Sequence, residues 1–127
     1  MYTTLPKKEK TIDFEAIGES TGFDYRGSFT IKCILTMAEK HQMEVEKSRL
    51  MADLRNPTID LLEMAISLSE ARARIIQGPA WWKESNYGQD LLDSEVLITL
   101  ANKCLNEETE WKKSLVKKAE EVAPKND

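Results

Sequence analysis

A single histidine and only two cysteines in 127 residues leave this chain little to bind a metal with. His41 has no cysteine near it and no glutamate at zinc-protease spacing, and a four-ligand zinc site needs more nitrogen and sulfur donors than that. Cys33 and Cys104 lie far apart, each at an apolar position of its segment, which predicts two buried thiols rather than a disulfide. The sequence has no P-loop, no Gly-x-Gly-x-x-Gly, no Gly-x-Ser-x-Gly and no Cys-x-x-Cys. Phosphate cradles, dinucleotide sites, nucleophile elbows and dithiol redox pairs therefore lack their usual signatures. The expectation is a non-enzymatic protein with no metal and no cofactor, although a carboxylate pair can do acid and base work without any sequence signature. No run reaches the roughly 18 apolar residues of a membrane span, and the amino terminus has no apolar core of a secretory signal. With 22 acidic against 18 basic residues and a net charge of -4, the clustered cations that neutralise phosphates are lacking, so neither nucleic acid nor membrane is an expected partner.

Hydrophobic residues at 41% and charged residues at 31% describe one globular domain. The patterning predicts an α+β fold, mostly helical, with an N-terminal β-hairpin, three principal helices and a short helical turn or loop. The domain is expected over residues 12–122, between a flexible basic tail at 1–11, carrying Lys7, Lys8 and Lys10, and a flexible tail at 123–127. Residues 12–17 alternate with a period of two, as a short strand or as a single helical turn closed by Gly18. A hairpin is expected at about 23–35, with Phe23, Tyr25, Phe29, Ile31, Cys33 and Leu35 on one covered face and Gly27 in the tight turn. Because a lone hairpin is marginal in water, either the helices cover it or its edge takes a strand from another chain.

Thr36 and Glu39 form a capping box at the start of a helix over about 37–54. Its thin apolar stripe of Met37, His41, Val45 and Met51 marks it as largely surface. Asn56 as cap and Pro57 at the first helical position open a core helix over 57–77, whose stripe includes Leu61, Leu62, Ala65, Ile66, Leu68, Ile75 and Ile76. Gly78-Pro79 ends it, and Arg72 and Arg74 read as complements to its dipole. Asp93 or Ser94 caps the last helix, 94–122, on which Leu97, Leu100, Cys104, Trp111 and Leu115 share a face. Six carboxylates, at Asp90, Asp93, Glu95, Glu107, Glu108 and Glu110, read as a solvated face, with binding of a basic partner segment as the alternative.

The connector from Gly78 to Asp93 concentrates Trp81, Trp82 and Tyr87 in a stretch that would otherwise be polar. Either the two tryptophans plug the end of the core, one inward and one half exposed, or one of them anchors another protein. The residues expected to bind a partner are Trp81, Trp82, Lys83 and Tyr87 of this loop, with Tyr25 and Phe29 of the hairpin.

Tyr-x-Gly-x-Phe-x-Ile-Lys at Tyr25 to Lys32, Pro79-Ala-Trp-Trp-Lys-Glu-Ser85 followed by Gly88, Asp90 and Leu91-Leu92-Asp93, and Glu108-x-x-Trp111 occur in an order that resembles small proteins encoded among the structural and morphogenesis genes of tailed bacteriophages. The resemblance runs over residues 23–118, and the nearest functional group is the tail assembly chaperones. It implies a non-enzymatic protein of the host cytoplasm that binds the tape-measure or tail-tube protein during tail building and is absent from the finished particle. A minor structural protein retained in the virion is the first alternative, and a small ligand-binding or enzymatic domain is the second. Its partners would be phage tail or virion proteins, with a homo-oligomer also open.

Overall fold

The structure, a computed structural model, describes residues 8–52, 55–56 and 58–122, with 118–122 described through the backbone. These residues form a three-stranded antiparallel sheet and four helices, the mostly helical α+β architecture that the patterning predicts. Strands β1 (Glu9–Ile17) and β2 (Asp24–Lys32) pair from Glu9 opposite Lys32 to Ile17 opposite Asp24. The short strand β3 (Ile75–Gln77) lies on the other side of β2.

The hairpin is therefore longer than expected and starts earlier. Residues 12–17 are strand, and β1 reaches into the stretch expected to be a tail. The turn is not at Gly27 but between the strands, where Gly22 N–H donates to the Gly18 carbonyl at 2.8 Å and Gly18 N–H donates to the Phe23 carbonyl at 2.9 Å. Gly27 sits in mid-strand opposite Phe14, and a side chain there would meet Pro79, whose Cβ lies 2.6 Å from the position of an added Cβ. Gly27 serves close approach, not a turn, and that is why the alternation of β2 passes through it unbroken.

The inward rows of β1 and β2, Ile12, Phe14, Tyr25, Phe29 and Ile31, pack with Leu68 and Ala71, with Trp82, and with Val96, Leu97, Leu100, Ala101 and Cys104. Burial of these apolar side chains is the main force holding sheet to helices, at about 1.5–3 kcal/mol for each large residue. Both thiols are buried and unpaired, as expected. Burial pushes Cys104 up to about 12 and raises Cys33, so neither is a ready nucleophile.

Helix α1 (Met37–Met51) opens with the predicted capping box: Glu39 N–H donates to Thr36 Oγ1 at 3.1 Å and Thr36 N–H to Glu39 Oε1 at 2.9 Å. None of its residues is buried. The expected stripe is turned the wrong way, because Met37, His41 and Val45 are exposed while Glu39, Met43, Glu46 and Leu50 are partly covered. The glutamates go inward because basic partners wait for them: Lys32 on β2 and Arg72 on the next helix.

Helix α2 (Ile59–Arg74) begins after Thr58, whose hydroxyl accepts from Leu61 N–H at 3.2 Å. Thr58, and not Asn56, is the cap; Pro57, Asp53 and Leu54 lie outside the described residues, as do 1–7 and 123–127. The helix ends at Arg74 because Ile75 turns extended and joins β3, so Ile75 and Ile76, expected as helical stripe, are strand. α2 packs against both α1 and α4 (Ser94–Val122), and its buried side chains are mostly small: Ala65, Ser67, Ser69 and Ala71 beside Leu68 and Arg74. Small residues let neighbouring helices approach closely.

Candidate interaction surface

The tryptophan connector folds as a short helix, α3 (Ala80–Glu84), followed by a tight turn. Trp82 is 3% exposed and packs edge-on against Phe29 with ring centroids 5.9 Å apart. Gly78 makes room for that contact, since a Cβ there would lie 2.7 Å from the Phe29 ring. Trp81 is half-buried. Its ring meets Tyr25 at 5.1 Å and Phe29 at 5.5 Å, and its indole N–H donates to the Arg26 carbonyl at 3.1 Å. Phe23 extends the row, 4.8 Å from Tyr25. Edge-to-face pairs of this kind contribute about 0.5–1.5 kcal/mol each beyond the area they bury. The arrangement is one tryptophan inward and one half exposed.

After α3 the backbone turns through Asn86 and Tyr87, both at φ 54, and Gly88 at φ 91. Two consecutive left-handed residues that are not glycine cost about 1–2 kcal/mol each, so something must hold them. Arg72 does so with a fork: its guanidinium donates to the carbonyls of Asn86 at 2.6 Å and Tyr87 at 3.1 Å, to Gln89 Oε1 at 3.0 Å, and to Glu46 Oε1 at 2.7 Å. The sequence reading of Arg72 as a dipole complement misses this clamp, because every partner is distant in the chain. Arg74 departs from that reading too. It is buried and joins α2 to α4 through Glu70 at 2.8 Å and Glu108 at 3.3 Å.

Asp93 is fully buried and faces the β1–β2 turn. One carboxylate oxygen accepts from the amides of Ser20 at 2.7 Å and Thr21 at 3.1 Å, and the other accepts from the hydroxyls of Thr21 at 2.5 Å and Tyr25 at 2.6 Å. The Thr21 hydroxyl, then the Tyr25 hydroxyl and the two amides outweigh burial and hold the Asp93 carboxyl at about 2. Burial, and then the bond to Asp93, raises the Tyr25 phenol. Gly18 has to be glycine here, since a Cβ would stand 2.2 Å from Asp93 Oδ2. The expected solvated acidic face therefore dissolves in part: Asp93 serves the turn, Glu95 accepts from Glu19 N–H at 2.8 Å, Glu107 pairs with Lys10 at 2.8 Å, and Glu108 pairs with Arg74.

The residues expected to bind a partner are thus divided. The fold brings Tyr25, Phe29 and Trp81 into contact, but Tyr25, Phe29 and Trp82 are core and present nothing to a partner. Lys83 and Tyr87 are exposed and Trp81 partly so. The hairpin edge is guarded as well. β1 carries exposed Glu9, Lys10, Asp13 and Glu15, and Lys103 donates to the Asp13 carbonyl, features that blunt strand addition. Exposed apolar area appears instead where the hairpin meets the start of α4. Ile17 is 60%, Phe23 50% and Leu92 77% exposed, around the turn that Asp93 fixes. Sequence reasoning placed Phe23 on the covered face; it lies on that face, opposite Gly18, but on the last rung before the turn, where the cover runs out.

A cleft of about 460 Å³ lies between α1, α2 and the end of β2. Its charged side chains are engaged with one another, Lys32 with Glu39 and Glu46 with Arg72. The Lys32 bond and then the Thr36 amide lower Glu39, and Arg49 followed by Arg72 lowers Glu46. Among the described residues no group of three or more His, Cys, Asp or Glu could hold a metal ion, and no helix is long and apolar enough to cross a membrane. Comparison of the chain with protein-family models, with curated proteins and with solved structures returns no match.

Proposed function

We propose that the protein acts by contact with other proteins, as an assembly chaperone for a bacteriophage tail, using the hairpin tip as its docking surface. The observation that carries the contact reading is the exposure of Ile17, Phe23 and Leu92 around a turn made rigid by Asp93. Exposed apolar side chains on a pre-formed support lose little freedom on binding. Phe23 also continues an aromatic row anchored in the core, through Tyr25 and Trp81, the kind of rigid anchor that dominates interfaces. What supports a phage tail as the setting is the resemblance carried by residues 25–32, 79–93 and 108–111. A tape-measure or tail-tube protein presenting an apolar segment before assembly is the partner that fits both. The ligand-binding alternative would use the cleft beside α1, where Lys32, Glu39, Glu46 and Arg72 already satisfy one another; that pairing favours the contact reading.

The test is co-purification of the tagged protein from infected or induced cells, with a parallel search for the untagged protein in purified particles. Capture of a tape-measure or tail-tube protein together with absence from the particles is the expected result. Fixed stoichiometry in the particles would make it a structural component, and capture of no tail protein would overturn the proposal.

A further inference from the structure

The apolar seam of α4 outruns the fold that covers it. Leu97, Ala101, Cys104, Glu108, Trp111 and Leu115 recur at alternating spacings of four and three, the 3.5-residue repeat of a helix that pairs along its length. The first part of that seam lies in the core, and Glu108 is its last point of engagement with α2, through Arg74. Trp111 is half-buried under the Lys8 ammonium, 5.2 Å from the ring centre. Beyond it every residue from Lys112 to Lys117 is exposed, including Leu115 at 45% and Val116 at 59%. The helix nonetheless continues to Val122, giving about 20 Å of rod past Glu108. A lone helix of that length is marginal in water.

The charges say what would cover it. Glu107, Glu108 and Glu110 precede Trp111, while Lys112, Lys113 and Lys117 follow it. A parallel neighbour of the same sequence would set like charge against like. An antiparallel one, turned about a two-fold axis near Lys113, sets Trp111 opposite Leu115 and Glu110 opposite Lys117, each contact occurring twice. Glu110 and Lys117 lie on the same flank of the seam by helical spacing, and same flanks face each other in an antiparallel pair. We infer that α4, from Glu110 onward, pairs antiparallel with the same segment of a second copy of this chain. The interface is small, so association is weak and concentration-dependent.

Sedimentation velocity on the full chain, from roughly 10 to 500 μM at low and high salt, tests this directly. The expected result is a monomer–dimer equilibrium weakened by salt. Glu110→Lys and Lys117→Glu should each weaken it about ten-fold by turning two attractions into two repulsions, and the double variant should restore it. Leu115→Asp should abolish it. Both charged residues are exposed, and circular dichroism would confirm that each variant is folded. A chain that stays monomeric throughout, a dimer indifferent to the single reversals, or a double variant that fails to recover would each overturn the inference.

Discussion

Replacing Arg72 decides whether it clamps the loop or merely complements a helix dipole. Its guanidinium makes four hydrogen bonds, three of them to the left-handed turn and one to Glu46. Hydrogen bonds to charged groups contribute about 1.5–3 kcal/mol each when buried, but the Asn86 and Tyr87 carbonyls belong to exposed residues and regain water when the fork is removed. The contributions therefore do not add, and Arg72→Met is expected to cost about 2–3 kcal/mol. A dipole interaction alone would cost about 0.3–1 kcal/mol. Arg72→Lys sharpens the comparison. It keeps the charge, hence the dipole term and one contact to Glu46, but it lacks the planar fork that spans two carbonyls, so it should recover no more than about half of the loss. Urea unfolding followed by far-ultraviolet circular dichroism measures the differences, and tryptophan fluorescence reports on Trp81 and Trp82 beside the turn. An Arg72→Lys protein as stable as the parent, with Arg72→Met costing under about 1 kcal/mol, would refute the clamp.

Trp82→Ala empties a buried site and should destabilise the fold by about 3–5 kcal/mol, while Tyr87→Ala at an exposed position should cost under about 1.5 kcal/mol; thermal melts compare the two. Gly18→Ala places a methyl where the Asp93 carboxylate stands, and a loss of about 1–3 kcal/mol is expected from overpacking, measurable by the same melts. Acid unfolding should show the Asp93 linkage. Its folded value of about 2 lies below the ordinary 3.8, so its contribution is intact above pH of about 4 and is lost as pH falls toward about 2. Asp93→Asn should flatten stability over that window, and an unchanged acid profile would contradict the assignment. Hydrogen exchange should find α1 opening before α2 and α4, because none of its residues is buried; equal protection would contradict that order.

What was legible in the sequence is what neighbours in the chain decide. The Thr36–Glu39 box, the buried thiols, the stop at Gly78-Pro79 and the apolar face of α4 all rest on local spacing, and they stand in the structure. The hairpin register did not, because Gly27 is required by Pro79 across the sheet, not by a turn. The inward face of α1 was misread because its glutamates are drawn in by Lys32 and Arg72, partners that no periodicity shows. Asp93 looked like a helix cap and instead holds a turn some seventy residues earlier in the chain. The loop aromatics were rightly picked out as an organising cluster, but Tyr25, Phe29 and Trp82 organise the core. Phe23 ends up exposed because of where the turn falls, which alternation alone does not reveal.

The most direct test of the proposed function is a paired capture experiment with the parent protein and a Phe23→Ser, Leu92→Ser variant. Both side chains are at least half exposed, so the variant should melt close to the parent. The account predicts that the parent retains a tape-measure or tail-tube protein and that the equally folded variant loses it. Undiminished capture by the variant would place the docking surface elsewhere and contradict the role given to the hairpin tip.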